Sequence, residues 1–530
     1  MTVHVHPGSP AATFLISRRR LVRSALAVTG GLAALALAAC GGSAATSQAS
    51  SSQGATSQAA SSAPVSSSAA ASPTTSSPAS SAQAVTSASS TSLASATSAA
   101  SSATVSTSAA PASTVAASSA APAAAPGKIR LSYTPGPAFD KVYKGLASQF
   151  QDQNPGTQVS AEGTWDWDNN KFIVQATGGS AADVVWSDET YDTQLFNAGV
   201  TQPLDRYLAT DAQYKPADYF ESPMAGYRYQ GKQIGLPMLC GPYVLWYNKT
   251  LFDQAGQAYP TPSWTWDSFL AAATALTKPS TDPSVMGQYG FETRNHQNPW
   301  VPWIFGEGGQ IFSDDGTKSL MDSPEAIAGI QYWLDLVYQH KVAPTPKELS
   351  DRKLGTNAFG MTGKAGMVYN GIYFWNGYKK NQSLDFDITF IPHGPKSNST
   401  NLPTDGLVMW KGTRAPDLAW SFMKFLVSQP AEEQYVTGGV DGMPANKAAA
   451  QLILKQPGPP ANKQAFYDVF QYAKPTFTDP YGQEAINVLQ KQGKFGDMWN
   501  NDLNVHDTLS AAVPLMNKAI QDQINNKKTG

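Results

Sequence analysis

The chain has 530 residues, with 37 lysines and arginines against 39 acids and a formal charge of −2. That balance, with no basic run beyond Arg23, argues against a nucleic-acid partner. Its two cysteines, Cys40 and Cys240, exclude a disulfide-stapled scaffold once the first is spent as described next.

The chain opens on Ser17-Arg18-Arg19-Arg20-Leu21-Val22-Arg23, an apolar run, and Leu37-Ala38-Ala39-Cys40-Gly41. Arginines hold the start of such a segment on the cytoplasmic side, while Ala25 to Ala39 is apolar but too short for a stable span. Residues 1–40 therefore read as a processed signal peptide. The arginines fit the twin-arginine pattern, which implies export after folding, although a basic start serves the general secretory route equally well. Leu-Ala-Ala-Cys resembles a lipobox, in which the Cys40 thiol takes a diacylglyceryl group; the plain alternative is an incidental cysteine. Two or three acyl chains, at ~0.8 kcal/mol per buried methylene, anchor a protein stably to the outer face of the cell membrane.

Residues 41–127 follow, almost wholly Ser, Ala and Thr, with no charge before Lys128. Nothing there repays the entropy of ordering, so a disordered tether is expected, spanning roughly 50 Å as a coil. The remaining ~400 residues exceed what one core sustains, so two lobes are expected. Cys240, within the apolar Leu236–Pro242, reads as a buried small hydrophobe. No later stretch approaches eighteen apolar residues, which leaves lipid as the anchor.

Ile129, Leu131 and Tyr133 alternate as in a strand, and Phe139, Val142, Leu146 and Phe150 recur at helical spacing up to Asn154-Pro155-Gly156. Strands near Val159 and over Ala181–Trp186 complete a strand–helix alternation that predicts an α/β fold with a mostly parallel sheet. Ligands gather beyond the carboxyl ends of such strands, here Thr134–Gly136 and Trp186–Glu189. Residues 231–238 and 243–248 look like a strand pair leaving the first lobe. Thr265 caps a helix, as does Ser323, with Ile327, Ile330, Leu334 and Val337 as the buried stripe of the second. Further strands are expected at Ala365–Tyr369, Phe386–Phe390 and Gly406–Met409. Trp333 and Trp420 lie in amphipathic helices and read as core.

Ile234-Gly-Leu-Pro237, Leu245-Trp-Tyr-Asn-Lys249, Leu251-Phe252, Ala255-Gly256, Pro262 and Thr265-Trp-Asp267 resemble family 1 extracellular solute-binding proteins. These are the maltose-binding-protein-like, sugar-capturing subunits of ABC importers. Gly366-Met-Val-Tyr-Asn-Gly371, Ala419–Leu426 and Gly442-Met-Pro-Ala445 resemble the second half of the same family. One departure is Ser268, where the family has an acid, which removes half of a capping box.

The resemblance implies a two-lobe, type II periplasmic-binding-protein-like fold whose hinged lobes enclose the ligand in the cleft between them. Lobe 1 would hold 128–240 and 395–445, lobe 2 would hold 241–394 and 446–530, and the hinge would lie near Pro237–Leu245 and Ile391–Lys396. A carbohydrate ligand and membrane permease partners are implied, with a monomeric protein, no cofactor, no metal and no catalytic residue.

A pyranose presents an apolar C–H face and a rim of hydroxyls, so its cleft needs aromatic platforms beside carboxylates or amides. Trp165, Trp186, Asp188, Glu189, Trp300, Trp303, Asn370, Phe374, Trp375, Asp405 and Tyr481 are the candidates, each with packing or solvated loop as its plain alternative. The resemblance puts Trp375 at the family's stacking position, and Tyr373 shares its turn. Many aromatics favour an oligosaccharide, though polyols and glycerol phosphodiesters stay open. The chain has no G-x-S-x-G, H-E-x-x-H or G-x-x-x-x-G-K-[S/T], and its histidines lack ligand-like spacing. A glycosidase needs only two carboxylates across a cleft, so that alternative, like an adhesion or sensory receptor, stays open on residue counting alone.

Overall fold

The computed structural model describes residues 126–529 apart from 167–168, 283, 356–357 and 478. The expected signal peptide, Cys40 and the tether up to residue 125 lie outside the described residues. In chain order the strands are β1 (Lys128–Ser132), β2 (Gln158–Glu162), β3 (Val184–Asp188), β4 (Arg228–Tyr229), β5 (Lys232–Gln233), β6 (Leu236–Cys240), β7 (Tyr243–Asn248), β8 (Tyr289–Glu292), β9 (Ala365–Gly371), β10 (Phe386–Thr389), β11 (Thr400–Asn401), β12 (Thr404–Met409), β13 (Met443–Pro444) and β14 (Ala473–Lys474). One sheet has the order β13-β6-β12-β3-β1-β2, and a second has the order β10-β7-β9-β8.

Ile129, Leu131 and Tyr133 are all buried, and the helix Pro137–Gln153 that follows β1 stops at Asn154 before Pro155. β1 pairs in parallel with β2 and β3, the arrangement that strand–helix alternation dictates. The rest of the sheet corrects the expectation of a mostly parallel one. β12 runs antiparallel to both β3 and β6, and β13 runs antiparallel to β6. The cause is chain direction: β12 returns from the second sheet instead of through a helical crossover within the first, so it enters from the opposite end.

Residues 231–238 and 243–248 do not pair with each other. β6 belongs to the first sheet and β7 to the second, with only Gly241 and Pro242 between them, so this junction is the first crossing. Ile391–Lys396, expected as the return, instead lies along the second lobe. Lys396 N and Ser397 N donate to Gly306 O (2.9 and 3.2 Å), and Trp266 N donates to His393 O (3.1 Å). The return comes at β11 and Thr404, where β11 pairs in parallel with β14. The helix Lys447–Leu454, expected with lobe 2, packs against the helix Gln429–Thr437 and β13 on the first-sheet side.

β7 is buried on both faces, and its two-residue period divides it between two cores. Val244 and Trp246 join the core continuous with the first sheet; Tyr243, Leu245 and Tyr247 join that of the C-terminal helices. Trp246 stacks on Tyr378 at 4.9 Å, and its indole N–H donates to Asn370 O at 3.0 Å. Trp333 and Trp420 are core residues as expected, donating to Thr293 Oγ1 (2.7 Å) and Asp211 Oδ2 (2.9 Å). Cys240 is fully buried, and burial pushes its thiol pKa well up, as suits an inert small hydrophobe. Among the described residues no helix is long and apolar enough to cross a membrane.

Candidate functional site

The site grows from the carboxyl end of β3. Asp188 ends that strand and caps the helix Glu189–Asn197, its Oδ1 accepting from Thr190 N (2.8 Å) and Thr190 Oγ1 (2.5 Å). Antiparallel register sets Asp405 of β12 directly opposite Asp188. Like charges so placed repel, and only 8–9% of either residue reaches solvent. Burial pushes the Asp188 pKa up to about 6 despite the Thr190 hydrogen bonds. Burial, followed by the charges of Asp188 and Asp192, pushes Asp405 well above the carboxylate range.

Two more acids stand on the same helix. Glu189 is fully buried, with Oε2 accepting from Thr404 N at 2.6 Å and Oε1 without a hydrogen-bond partner. Asp192, also fully buried, is one turn on from Glu189 and faces Ser187 and Tyr227. The Tyr227 hydroxyl donates to Thr404 O (2.9 Å), tying the cluster's floor to the first residue of β12. Burial is the largest cause of raised pKa for both acids.

The second lobe reaches this cluster through Tyr373, just beyond β9. Its hydroxyl donates to Pro403 O (3.3 Å), and the charges of Asp405, Asp188 and Glu189 add to burial in raising its pKa. Its ring lies over the first crossing, where a Cβ on Gly241 would overlap it. Beside it, Arg294 donates to Asn370 Oδ1 (3.4 Å) and sits 5.7 Å from the Phe374 ring centre. Asn298 Oδ1 accepts from Asn401 Nδ2 (2.9 Å) in β11. Two further contacts join the halves: Thr193 Oγ1 to Asp479 O (3.2 Å) and Asn376 Nδ2 to Gly439 O (3.4 Å).

The structure therefore brings together Asp188, Glu189 and Asp405. Trp186 lies on the same face of β3, two residues deeper, with its ring edge-on to Phe139 (6.4 Å) and only 1% exposed. Asn370 and Phe374 are grouped with Arg294. Tyr481 is half-buried in the turn whose Asp479 carbonyl meets Thr193, and its hydroxyl neighbours Asn197 and Tyr229.

Other candidates lie apart. Trp165 is buried edge-on to Phe172 within the first core. Trp300 and Trp303, expected to offer the cleft one aromatic, are both enclosed in the second core. Trp303 packs among Trp266, Phe269, Phe291 and Tyr332, and Trp300 packs on Phe495. Their helix, Gln297–Gly306, is buried from Pro299 onward because its apolar residues run all round it.

Trp375 likewise lies in packing. Its indole N–H donates to Pro459 O (2.7 Å), its ring packs on Phe466 (5.8 Å), and it is 4% exposed. The short turn Ile372–Phe374 rotates Tyr373, not Trp375, toward the acids. Asp192, Tyr227 and Arg294 escaped the sequence reading. Asp192 had a usable signal, since positions 188, 189 and 192 share one helical face.

With this geometry in view, the chain matches the family described as bacterial extracellular solute-binding protein over residues 132–433, and it belongs to that family. A binding protein of Brucella abortus is 26% identical over 321 residues, covering 60% of this chain and 74% of that one. The maltotriose-binding protein of Pyrococcus abyssi is 22% identical, covering 57% and 63%. Among solved structures, an ABC substrate-binding protein of Listeria monocytogenes in complex with cycloalternan superposes with a TM-score of 0.65 at 24% identity, over 74% of this chain and 99% of the other. The fold is thus the two-lobe fold of solute-binding proteins.

Proposed function

We propose that this protein captures a carbohydrate, an oligosaccharide in particular, between its two lobes and delivers it unaltered to the permease of an ABC importer. The observation that carries this reading is the meeting of Asp188, Glu189 and Asp405 with Tyr373 beside the first crossing. Carboxyl groups take the hydroxyl rim of a sugar, an aromatic ring takes its C–H face, and residues contributed by both lobes make closure and capture one event. The oligosaccharides in the names of its relatives support the same class of ligand. Export, processing before Cys40 and lipid attachment would hold the protein at the outer face of the membrane, with the tether giving it reach to the permease. It acts as a monomer and performs no chemistry on the sugar.

A glycan panel screened by thermal shift tests this, with the sugar analysed afterwards. A ligand at 100 times its Kd adds about 2.7 kcal/mol to stability, so a true ligand raises Tm clearly and is recovered intact. A panel without any shift, or a sugar returned as smaller products, contradicts the reading.

A further inference from the structure

The helix Glu189–Asn197 also touches the second lobe. Glu189, Thr193 and Asn197 recur along it at four-residue intervals and so share one face. Against that face lies the chain that passes from the first core at Ala473 to the second at Phe477. A Cβ on Gly226 would meet Glu189 (3.6 Å) and Pro475 (3.7 Å) together, which puts Pro475 beside the first of the three. Thr193, fully buried, donates through Oγ1 to Asp479 O at 3.2 Å. The Asn197 amide faces the hydroxyls of Tyr481 and Tyr229. The three residues of the helix thus meet positions 475, 479 and 481 in order.

Both sides of this contact are held in place. On the second-lobe side, Asp479 Oδ1 accepts from Tyr481 N (3.1 Å), Phe477 packs edge-on to Phe312 (5.7 Å), and Gly316 leaves no room for a side chain against Asp479. On the first-lobe side, Asp188 caps the helix. A hydrogen bond between two such bodies is made only while they are together, and water takes its place when they part. Resting on the reading of this cleft as a sugar site, we infer that Thr193, Asn197 and Tyr481 form a clasp. They are positioning residues that hold the lobes shut and set how fast a sugar leaves, without touching it. One helix links the two ends, since a sugar drawn to Glu189 brings Thr193 and Asn197 onto the turn in the same movement. A ligand gains the clasp only by closing the protein, so the clasp multiplies the affinity of every such ligand by the same factor.

Stopped-flow binding on the whole mature protein, with two sugars of different length from the glycan panel, tests this against Thr193→Val and Tyr481→Phe, which remove a hydroxyl and keep the packing. Each change should raise the dissociation rate about fivefold for both sugars alike, as the loss of one neutral hydrogen bond does, and leave the association rate within about twofold. A rise confined to the longer sugar would make Tyr481 a sugar contact and overturn the clasp, leaving the sugar reading intact. So would unchanged dissociation rates, with or without the lowered urea midpoint of a merely structural role. Where the wild-type protein binds no sugar, the sugar reading falls, and the clasp is read without ligand from spin labels on Lys141→Cys and Gln331→Cys, exposed and one on each lobe. Thr193→Val and Tyr481→Phe should then lengthen the label-to-label distance, and an unaltered distance overturns the clasp as well.

Discussion

Asp188 does two jobs that pull in one direction. It caps the helix that carries Glu189 and Asp192, and it faces Asp405 across the strand pair, so the local fold itself concentrates acid at one point. Tyr373 and Trp375, two residues apart, have opposite surroundings: the first bonds Pro403 O within the field of the acids, and the second is locked to Pro459 and Phe466. Tyr373→Ala should weaken sugar binding by about 2 kcal/mol or more, roughly thirtyfold in Kd, with a modest change in denaturation midpoint. Trp375→Ala should lower stability by about 3–5 kcal/mol and leave the Kd of the folded protein nearly unchanged. Titration calorimetry paired with urea denaturation reads both, and the reverse pattern would return the sugar-facing role to Trp375. The sequence places an aromatic in this turn, but the rotation that selects one of three neighbours depends on the short helical turn at Ile372–Phe374. That turn leaves no periodic trace in three residues.

At the level of elements, alternation and caps were legible because they depend on near neighbours. Thr265 accepts from Ser268 N at 3.4 Å, and with Ser268 in place of an acid the reciprocal half of the capping box is missing. What the chain did not disclose was which strands share a sheet. β6 and β7 each look like half of a hairpin, yet two residues carry the chain from one sheet to the other. That crossing has no spare volume, since a Cβ on Gly241 would overlap the Tyr373 ring and hydroxyl. Gly241→Ala should therefore cost about 1–3 kcal/mol through overpacking and weaken sugar binding at the same time, because Tyr373 must move. Gly145→Ala, in the helix Pro137–Gln153 with open space at its Cβ, is the matched control and should stabilise by about 0.5–1 kcal/mol. Equal effects of the two changes, in thermal melts and calorimetry, would show that the crossing is not tightly packed.

For the whole molecule, the division of β7 between two cores explains how lobes can be distinct yet continuous. One face of the strand belongs to a core shared with the first sheet, and the other belongs to the C-terminal helices. Two lobes were legible from length and from the resemblance to a two-lobe family. The return at β11 to Thr404, and the placement of Lys447–Leu454 on the first-sheet side, follow from contacts remote in sequence, which no local pattern encodes. The same remoteness hid the burial of Trp300 and Trp303, whose neighbours Phe495 and Tyr332 come from distant helices. On the proposed function, both lobes grip one sugar beside the Gly241 crossing. A crystal structure of the protein with the best sugar from the glycan panel tests this most directly. The sugar should contact Asp188 and Asp405 on one side and Tyr373 on the other, and a sugar held by one lobe alone, away from those carboxyl groups, would overturn the proposed function.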